Sequence, residues 1–254
     1  MADCRGGLLR LTGQEARHAL RVLRLQTGNP AIVLDGAGTE FQCQIENTSR
    51  DSLSLRVKKK NFAPELPCSI TLFVGIPKGK IIENIIQKSV ELGARRIVPL
   101  LTERVVTRLD DEGAEYKREH WRQTAIEAMK QSGAPRLPEV ELPAAIADVL
   151  ARRERFDLQI VGSLQKNRRH PREVFRDFEK ANGAPARNAA AWIGPEGDFT
   201  ADELKSIENA GAQPVTFGDL VLRVETAAIY CLSVLNYEFN SAAQGNTLES
   251  QNED

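Results

Sequence analysis

Residues 70–101 read ITLFVGIPKGKIIENIIQKSVELGARRIVPLL, and this stretch decides the fold. It begins with an apolar strand pattern over Ile70–Val74 and continues with the helical apolar spacing of Ile81–Leu92, which Gly93 ends. A second apolar strand pattern follows at Arg96–Leu101. Strand, helix and strand in this order form a βαβ unit, so the sequence predicts a parallel sheet.

The same type of pattern continues toward the C-terminus. A helical pattern surrounds Trp121–Met129, and short apolar runs occupy Leu158–Val161, Ala189–Ile193 and Pro214–Phe217. Val224–Phe239 has the composition of a long final helix. We therefore expect residues 69–240 to form an α/β domain.

Residues 1–68 have a different pattern. Two runs, Phe41–Ile45 and Leu53–Val57, alternate apolar and polar residues as half-buried antiparallel strands do, and Ile32–Leu34 is a third strand candidate. Thr12 and Glu15 have capping-box spacing, which predicts a helix start. We expect a small β-rich domain with one helix and more basic than acidic residues. The polar residues 241–254 are expected to be a disordered tail.

Bulk properties narrow the function classes. The 254-residue chain has a formal net charge of -1, so positive charge for a nucleic-acid partner must be local. The cysteines Cys4, Cys43, Cys68 and Cys231 are far apart and predict neither a metal site nor a redox motif. No window approaches the length of a membrane span or a signal peptide. These features predict a cytoplasmic protein without a structural metal.

Three predicted strand ends lead into glycine-containing loops: Val161-Gly162-Ser163, Ile193–Gly197 and Phe217-Gly218-Asp219. Ligands of open α/β sheets bind beyond the carboxyl ends of the strands, and glycine allows them to approach the backbone closely. Thr200 and Glu203 then predict a second capping box at a helix start. Since the chain has no G-x-G-x-x-G and no P-loop motif, a phosphate cradle is disfavoured. Spacing alone predicts a small-molecule pocket of unknown type.

Five motifs occur in a fixed order along residues 8–240. They are His18 with Val22-Leu23-Arg24 and Gly28, Gln87–Gly93, Glu127-Ala128 with Gln131-Ser132-Gly133, Ile193–Gly197, and Leu222–Ala227. Together they resemble the ribosomal small-subunit uracil-N3 methyltransferases, a family of the SPOUT superfamily. The resemblance implies an α/β SPOUT-type parallel sheet with a C-terminal trefoil knot, a PUA-like N-terminal β-barrel over residues 1–68, and a homodimer.

The resemblance also implies a cofactor and a substrate. S-adenosylmethionine (SAM) would be held mainly by backbone groups, and the acceptor would be a uridine of 16S rRNA in the small ribosomal subunit. Carried over to this sequence, the donor contacts fall on Val161, Gly162, Ile193, Gly194, Gly197, Leu220, Val221 and Leu222.

Catalysis at uracil N3 requires removal of a proton and stabilisation of charge on O2 or O4. Arg223 suits the second task, because a guanidinium donates hydrogen bonds and does not readily act as a base. A salt bridge with Glu225 or Glu196 is the competing interpretation of Arg223. The two glutamates are candidate bases, although both also suit a role in orienting loops, and solvent is a third acceptor for the proton.

Candidate RNA contacts are basic residues on both predicted domains: Arg17, Arg21, Arg24, Lys78, Lys80, Arg168 and Arg169. Solvated surface charge is the alternative for each. The chain departs from the family where Asp198 replaces a usual glycine and where Ala134 and Leu220 replace usual arginines. The last two changes remove positive charge near the expected RNA cleft.

Two other functions remain open from the sequence. One is a different SPOUT enzyme, such as a ribose 2′-O-methyltransferase that acts on tRNA. The other is an RNA-binding assembly factor without catalysis, which the changes at Asp198, Ala134 and Leu220 would suit.

Overall fold

The computed structural model describes residues 3–5, 7–104 and 110–240. The tail expected at residues 241–254 lies outside this part. The chain divides into two compact units. The first comprises Met1–Glu65 together with Gly133–Leu137, and the second comprises Leu66–Ser132 and Pro138–Asp254. No local sequence pattern indicates that a five-residue segment so far along the chain belongs to the N-terminal unit.

The N-terminal unit is built on an antiparallel sheet. Its elements are β1 (Asp3–Arg5), β2 (Leu8–Thr12), α1 (Gly13–Arg17), a π-helix (His18–Val22), β3 (Pro30–Leu34), β4 (Thr39–Thr48) and β5 (Ser52–Phe62). The strand order is β1-β2-β5-β4-β3. All three predicted strands are present and longer than expected. In the described residues the sheet is open and its ends, β1 and β3, do not pair, so a closed barrel is not seen.

The core of this unit explains the alternating pattern. Ile45, Leu53 and Leu55 point to one face of the sheet and are buried against Ala16 and Ala19 of the helical segment. The side chains between them point to the other face, as the period of two along a strand requires. The hydrophobic effect on this single face therefore fixes the register of β4 on β5.

The predicted capping box at Thr12 is wrong. Thr12 stands at the N-cap position of α1, but its side chain accepts no capping hydrogen bond. Gly13 has a φ of 63°, outside the helical range that the first residue after a capping residue needs. Thr12 is also the last residue of β2, paired with Ser52, and this pairing determines its conformation.

The second unit is an α/β domain. Its first half contains β6 (Ser69–Gly75), α2 (Ile81–Glu91), β7 (Arg96–Leu101), α3 (Asp111–Ser132), β8 (Glu139–Val140), β9 (Ala144–Ala145) and α4 (Ile146–Ala151). Its second half contains β10 (Leu158–Gly162), α5 (Pro171–Asn182), β11 (Asn188–Ile193), α6 (Ala201–Asn209), β12 (Gln213–Val215) and α7 (Val224–Asn240). Strand order is β12-β10-β11-β6-β7-β8, with β9 also paired to β7, and every pairing is parallel. The predicted parallel sheet is confirmed.

Helices cover both faces of this sheet. On one side, α2 buries Ile82, Ile85 and Ile86 and packs against α7, which contacts the central strands β6 and β11. At the end of α7, the buried Asn240 side chain accepts a hydrogen bond from the Cys68 amide at 2.8 Å and donates one to the Cys68 carbonyl at 3.3 Å. The last helix is thereby tied to the start of β6.

The order of the strands brings the glycine loops together. β12, β10 and β11 are neighbours and run parallel, so their carboxyl ends at Val215, Gly162 and Ile193 lie along one edge of the sheet. The predicted capping box after β11 is confirmed. Thr200 Oγ1 accepts from the Glu203 amide at 3.3 Å, and the Glu203 carboxylate accepts from the Thr200 amide at 2.8 Å. This capping box fixes the start of α6 and hence the position of the loop before the helix.

Two further features concern the described residues as a whole. None of their helices is long and apolar enough to cross a membrane. Within the same residues, no group of His, Cys, Asp and Glu side chains is arranged so that it could hold a metal ion.

Candidate functional site

A cavity of about 480 Å³ lies at the carboxyl ends of β10, β11 and β12. Segments 162–164, 193–196, 215–218 and 220–225 form most of its wall, and Ile81 at the start of α2 adds to it. Ligand sites in open α/β sheets occur in this position. Its volume lies in the range of roughly 300–1,000 Å³ that small-molecule sites occupy.

Most of the predicted donor-binding residues line this cavity. Those that do are Gly162, Ile193, Gly194, Leu220, Val221 and Leu222. The other two are not among the lining residues. Val161 is fully buried in the hydrophobic core, and Gly197 faces the side chain of Arg104. The geometry therefore does not favour the predicted contacts of Val161 and Gly197 with a ligand.

The glycines of the wall are required by loop packing. A Cβ atom on Gly194 would lie 2.9 Å from Asp198 Oδ1 and 3.0 Å from the Phe199 nitrogen. A Cβ atom on Gly162 would lie 3.0 Å from the Phe217 ring. Because each loop closes tightly on a neighbour, a larger residue at either position would change the shape of the cavity wall.

Apolar side chains are unusually exposed at one side of the cavity. Leu220 is 80% exposed and Val221 is 76% exposed. Large exposed apolar side chains next to a concave surface are typical of a binding site, since a ligand that covers them removes their surface from water.

Arg223 extends from the same segment and is exposed. It lines the cavity, but its guanidinium forms no hydrogen bond or ion pair with any described residue. The competing interpretation, a salt bridge with Glu225 or Glu196, is absent in the described part of the chain. Five donor N–H groups of this guanidinium are therefore available to a ligand or substrate.

The three carboxylates of the wall have different surroundings. Glu196 Oε1 accepts a hydrogen bond from the Lys78 amide at 2.9 Å. Glu225 lies in the first turn of α7, and its side chain has no hydrogen-bond partner among the described residues. Burial raises the pKa of Asp198, while a hydrogen bond from the Phe199 amide and the positive charge of Arg104 act in the opposite direction.

Arg104 is a residue that the sequence reasoning missed. It lies in the loop after β7, and its guanidinium donates a hydrogen bond to the Gly197 carbonyl. The amide of the preceding residue, Glu103, donates to the Glu203 carboxylate of α6 at 2.8 Å. Its place beside the glycine loops follows from the folded sheet, which brings the carboxyl ends of parallel strands to one edge, and no local sequence pattern indicates the bond to Gly197.

The predicted RNA contacts of the N-terminal unit are exposed. Arg17, Arg21 and Arg24 lie on or just after the helical segment. Arg24 has a φ of 53°, which is uncommon for a residue other than glycine. Val22 and Leu23 beside it are 65% and 56% exposed. The segment therefore presents positive charge together with apolar surface.

The predicted RNA contacts of the second unit fall into two groups. Lys78 and Lys80 are exposed in the loop between β6 and α2. Arg168 donates to the Leu164 carbonyl at 2.6 Å. Arg169 forms an ion pair with Asp177 at 2.5 Å and approaches Glu173 at 3.8 Å. Because two carboxylates offset the charge of Arg169, it is the least suited of the four to bind a phosphate.

Known families match both units. The family described as an RNA methyltransferase domain matches residues 64–236. A second family, described as an RNA methyltransferase PUA domain, matches residues 11–58.

Named relatives share most of the chain's length. The Bacillus subtilis ribosomal RNA small subunit methyltransferase E is 32% identical over 90% of this chain and 89% of the relative. The Synechocystis protein of the same name is 33% identical over 89% of this chain and 72% of the relative. A Legionella pneumophila protein described as a methyltransferase, solved with bound cofactor SAM, is 31% identical with a TM-score of 0.82. That similarity covers 93% of this chain and 94% of the other.

Proposed function

This chain belongs to the ribosomal RNA small subunit methyltransferase E family, and on that basis we propose that it transfers a methyl group from SAM to uracil N3 of one uridine in 16S rRNA. The observation that carries the proposal is the cavity at the carboxyl ends of β10, β11 and β12. It joins most of the expected donor-binding residues to Arg223, whose guanidinium has no partner in the described part of the chain.

The cavity has the chemistry that SAM needs. Exposed Leu220 and Val221, with Ile193, offer apolar contact to an adenine face. The glycine loops offer backbone N–H and C=O groups to its polar edge. Carboxylates in the wall suit the positive sulfonium. When bound, SAM supplies an electrophilic methyl group, and the chain must hold and orient the uracil next to it.

Arg223 has the central role on the acceptor side. Uracil N3 carries a proton at neutral pH, and negative charge builds on O2 and O4 when that proton departs ahead of the methyl transfer. The guanidinium of Arg223 donates to these oxygens and stabilises that charge until the methyl group bonds to N3 and neutralises it. It also fixes the position of the ring, which lowers the entropic part of the barrier.

The proton acceptor is the second element of the mechanism. Glu196 already accepts a hydrogen bond from the Lys78 amide and holds two loops together. Glu225 has no such bond to a described residue. We therefore assign loop orientation to Glu196. We assign removal of the N3 proton to Glu225 or to a solvent molecule beside Glu225.

The N-terminal unit supplies RNA binding in this proposal. Its match to a PUA domain of RNA methyltransferases supports an RNA-binding role of the PUA type. In this role Arg17, Arg21 and Arg24 bind phosphates of the RNA. Lys78, Lys80 and Arg168 extend the contact from the second unit. The fold proposed for the C-terminal segment is the SPOUT trefoil knot, and the proposed assembly is a cytoplasmic homodimer.

Transfer of labelled methyl groups tests the proposal. The full chain is incubated with labelled SAM and small ribosomal subunits from a strain that lacks the modification, with tRNA as a parallel acceptor. We expect label in 16S rRNA alone. Label in tRNA would indicate another SPOUT activity. Absence of SAM binding by calorimetry would indicate an assembly factor without catalysis.

A further inference from the structure

The charged side chains of the cavity wall are mostly acidic. In the described part of the chain, Glu196, Asp198 and Glu225 line the cavity as carboxylates, and Arg223 is the one basic side chain among the lining residues. The lining residues therefore carry an excess of negative formal charge, which favours a positively charged ligand.

Asp198 is one of these carboxylates and is only partly exposed, so its interaction with a nearby charge is weakened less by water than that of a fully exposed group. Its Oδ1 accepts a hydrogen bond from the Phe199 amide at 2.8 Å. Its Oδ2 has no hydrogen-bond partner among the described residues. Glu196, by contrast, is engaged by the Lys78 amide.

Asp198 also has an unusual backbone conformation. Its φ is 62°, in the left-handed region that residues with a side chain rarely adopt. Glycine would have this conformation without strain. Aspartate is among the residues that tolerate it best, but its presence still costs stability, and strained residues concentrate at functional sites. A carboxylate at this position therefore points to a function in the cavity.

We propose that Asp198 makes the cavity prefer the positively charged donor, SAM, over its product, S-adenosylhomocysteine (SAH). This inference rests on the proposed function. The two molecules differ by one methyl group and one positive charge. Replacement of Asp198 isolates the contribution of charge, because it leaves any contact with the methyl group itself in place. A half-buried carboxylate discriminates by charge. Transfer of the methyl group removes this attraction and favours release of the product.

The surroundings of Asp198 agree with this role. Burial raises its pKa, so the isolated carboxylate is less readily ionised than usual. Arg104, from the loop after β7, is the charged group that acts on Asp198, and Glu196, Arg223 and Glu225 line the same cavity. Arg104 forms no ion pair with it and donates instead to the Gly197 carbonyl. A cationic ligand then lowers the pKa of Asp198 by supplying the missing positive charge.

Titration calorimetry of the full chain with SAM and with SAH tests the proposal. The variants are Asp198→Asn, which keeps the size of the side chain, and Asp198→Gly, which relieves the strained backbone. Asp202→Asn, an exposed position in the first turn of α6, is the matched control. We expect the preference for SAM to fall by roughly three- to tenfold in both Asp198 variants, as one partly screened charge interaction implies. The control should keep the wild-type preference.

The outcomes separate this inference from the proposed function. An unchanged preference in both variants would overturn the inference, and so would an equal loss of affinity for both ligands, which would assign Asp198 to loop shape alone. In either case wild-type binding of SAM leaves the proposed function intact. If the wild-type chain binds neither ligand, the proposed function fails and the inference fails with it.

Discussion

The Glu196 carboxylate accepts a hydrogen bond from the Lys78 backbone amide at 2.9 Å and so joins the loops that follow two neighbouring parallel strands, β11 and β6. The same two loops touch at Gly75, where a Cβ atom would lie 2.6 Å from Pro195 Cδ. The contact fixes one side of the cavity wall. It also gives Glu196 a structural task that is separate from proton removal.

Replacement of Glu196 distinguishes these two tasks. Glu196→Gln keeps an oxygen that accepts from the Lys78 amide, so we expect single-turnover methyl transfer within about threefold of wild type. Glu196→Ala loses the bond and should weaken SAM binding by roughly tenfold through the loosened loop. Loss of transfer in Glu196→Gln with normal SAM affinity would show that Glu196 is the base after all.

Arg223→Ala should separate donor binding from chemistry. SAM affinity should stay near that of wild type, because the donor contacts lie on other residues of the wall. Methyl transfer should fall by about 10²- to 10³-fold, the loss that follows removal of one donor to a developing charge. Calorimetry and single-turnover transfer measure the two effects, and Arg223→Lys serves as the charge-conserving control. A normal transfer rate in Arg223→Ala would remove this residue from the mechanism.

Gly194→Val should abolish donor binding. The added Cβ would meet Asp198 Oδ1 and the Phe199 nitrogen at about 3 Å, and the second of these is backbone that cannot move aside alone. The loop must shift, and the cavity wall with it. Calorimetry measures SAM affinity, and circular dichroism without SAM checks that the variant is folded. Unchanged affinity in a folded variant would mean that the loop shape has no bearing on the donor.

Arg136→Ala should destabilise the N-terminal unit. Its guanidinium donates to the Ala37 carbonyl at 2.6 Å and to the Ala63 carbonyl at 3.0 Å, and it lies flat against Gly38. We expect a loss of about 1.5–3 kcal/mol in the free energy of unfolding, the range for hydrogen bonds to a charged group. Urea denaturation measures it. Arg118→Ala on the exposed surface of α3 is the control and should change stability by less than about 0.5 kcal/mol.

Glu154 should make stability depend on acid pH. A hydrogen bond from Arg96 lowers the pKa of Glu154 below its ordinary value of 4.5, against the opposing effect of burial. Since the folded-state pKa is the lower one, the stabilisation is present above the ordinary pKa and is lost as pH falls through the folded-state pKa. Urea denaturation should show Glu154→Gln less stable than wild type near pH 7. The difference should shrink in acid, and a constant difference would contradict the assignment.

The sequence predicted those elements whose signal is local. The β6–α2–β7 unit and the capping box at Thr200 were foreseen within a residue or two, because apolar spacing and a capping residue act over one or two turns. The glycine loops were foreseen as a ligand site because parallel strands end at a common edge. Helix α5 was missed, since its many charged residues made it resemble a solvated loop.

Other features depend on contacts between distant residues. Gly133–Leu137 belongs to the N-terminal unit because Arg136 contacts carbonyls 99 and 73 residues earlier in the chain, and no local sequence pattern indicates these contacts. Thr12 has the spacing of a capping residue, but its pairing with Ser52 overrides that preference. The role of Arg104 likewise follows from its bond to Gly197, which only the folded sheet brings near.

Mass spectrometry of the nucleosides in small-subunit rRNA, after reaction with this protein and SAM, tests the central claim most directly. The subunits come from a strain without the modification, and Arg223→Ala provides the inactive control. We predict 3-methyluridine from the wild-type chain and almost none from the control. A methylated ribose or a different methylated base would contradict the assignment of uracil N3 and of Arg223.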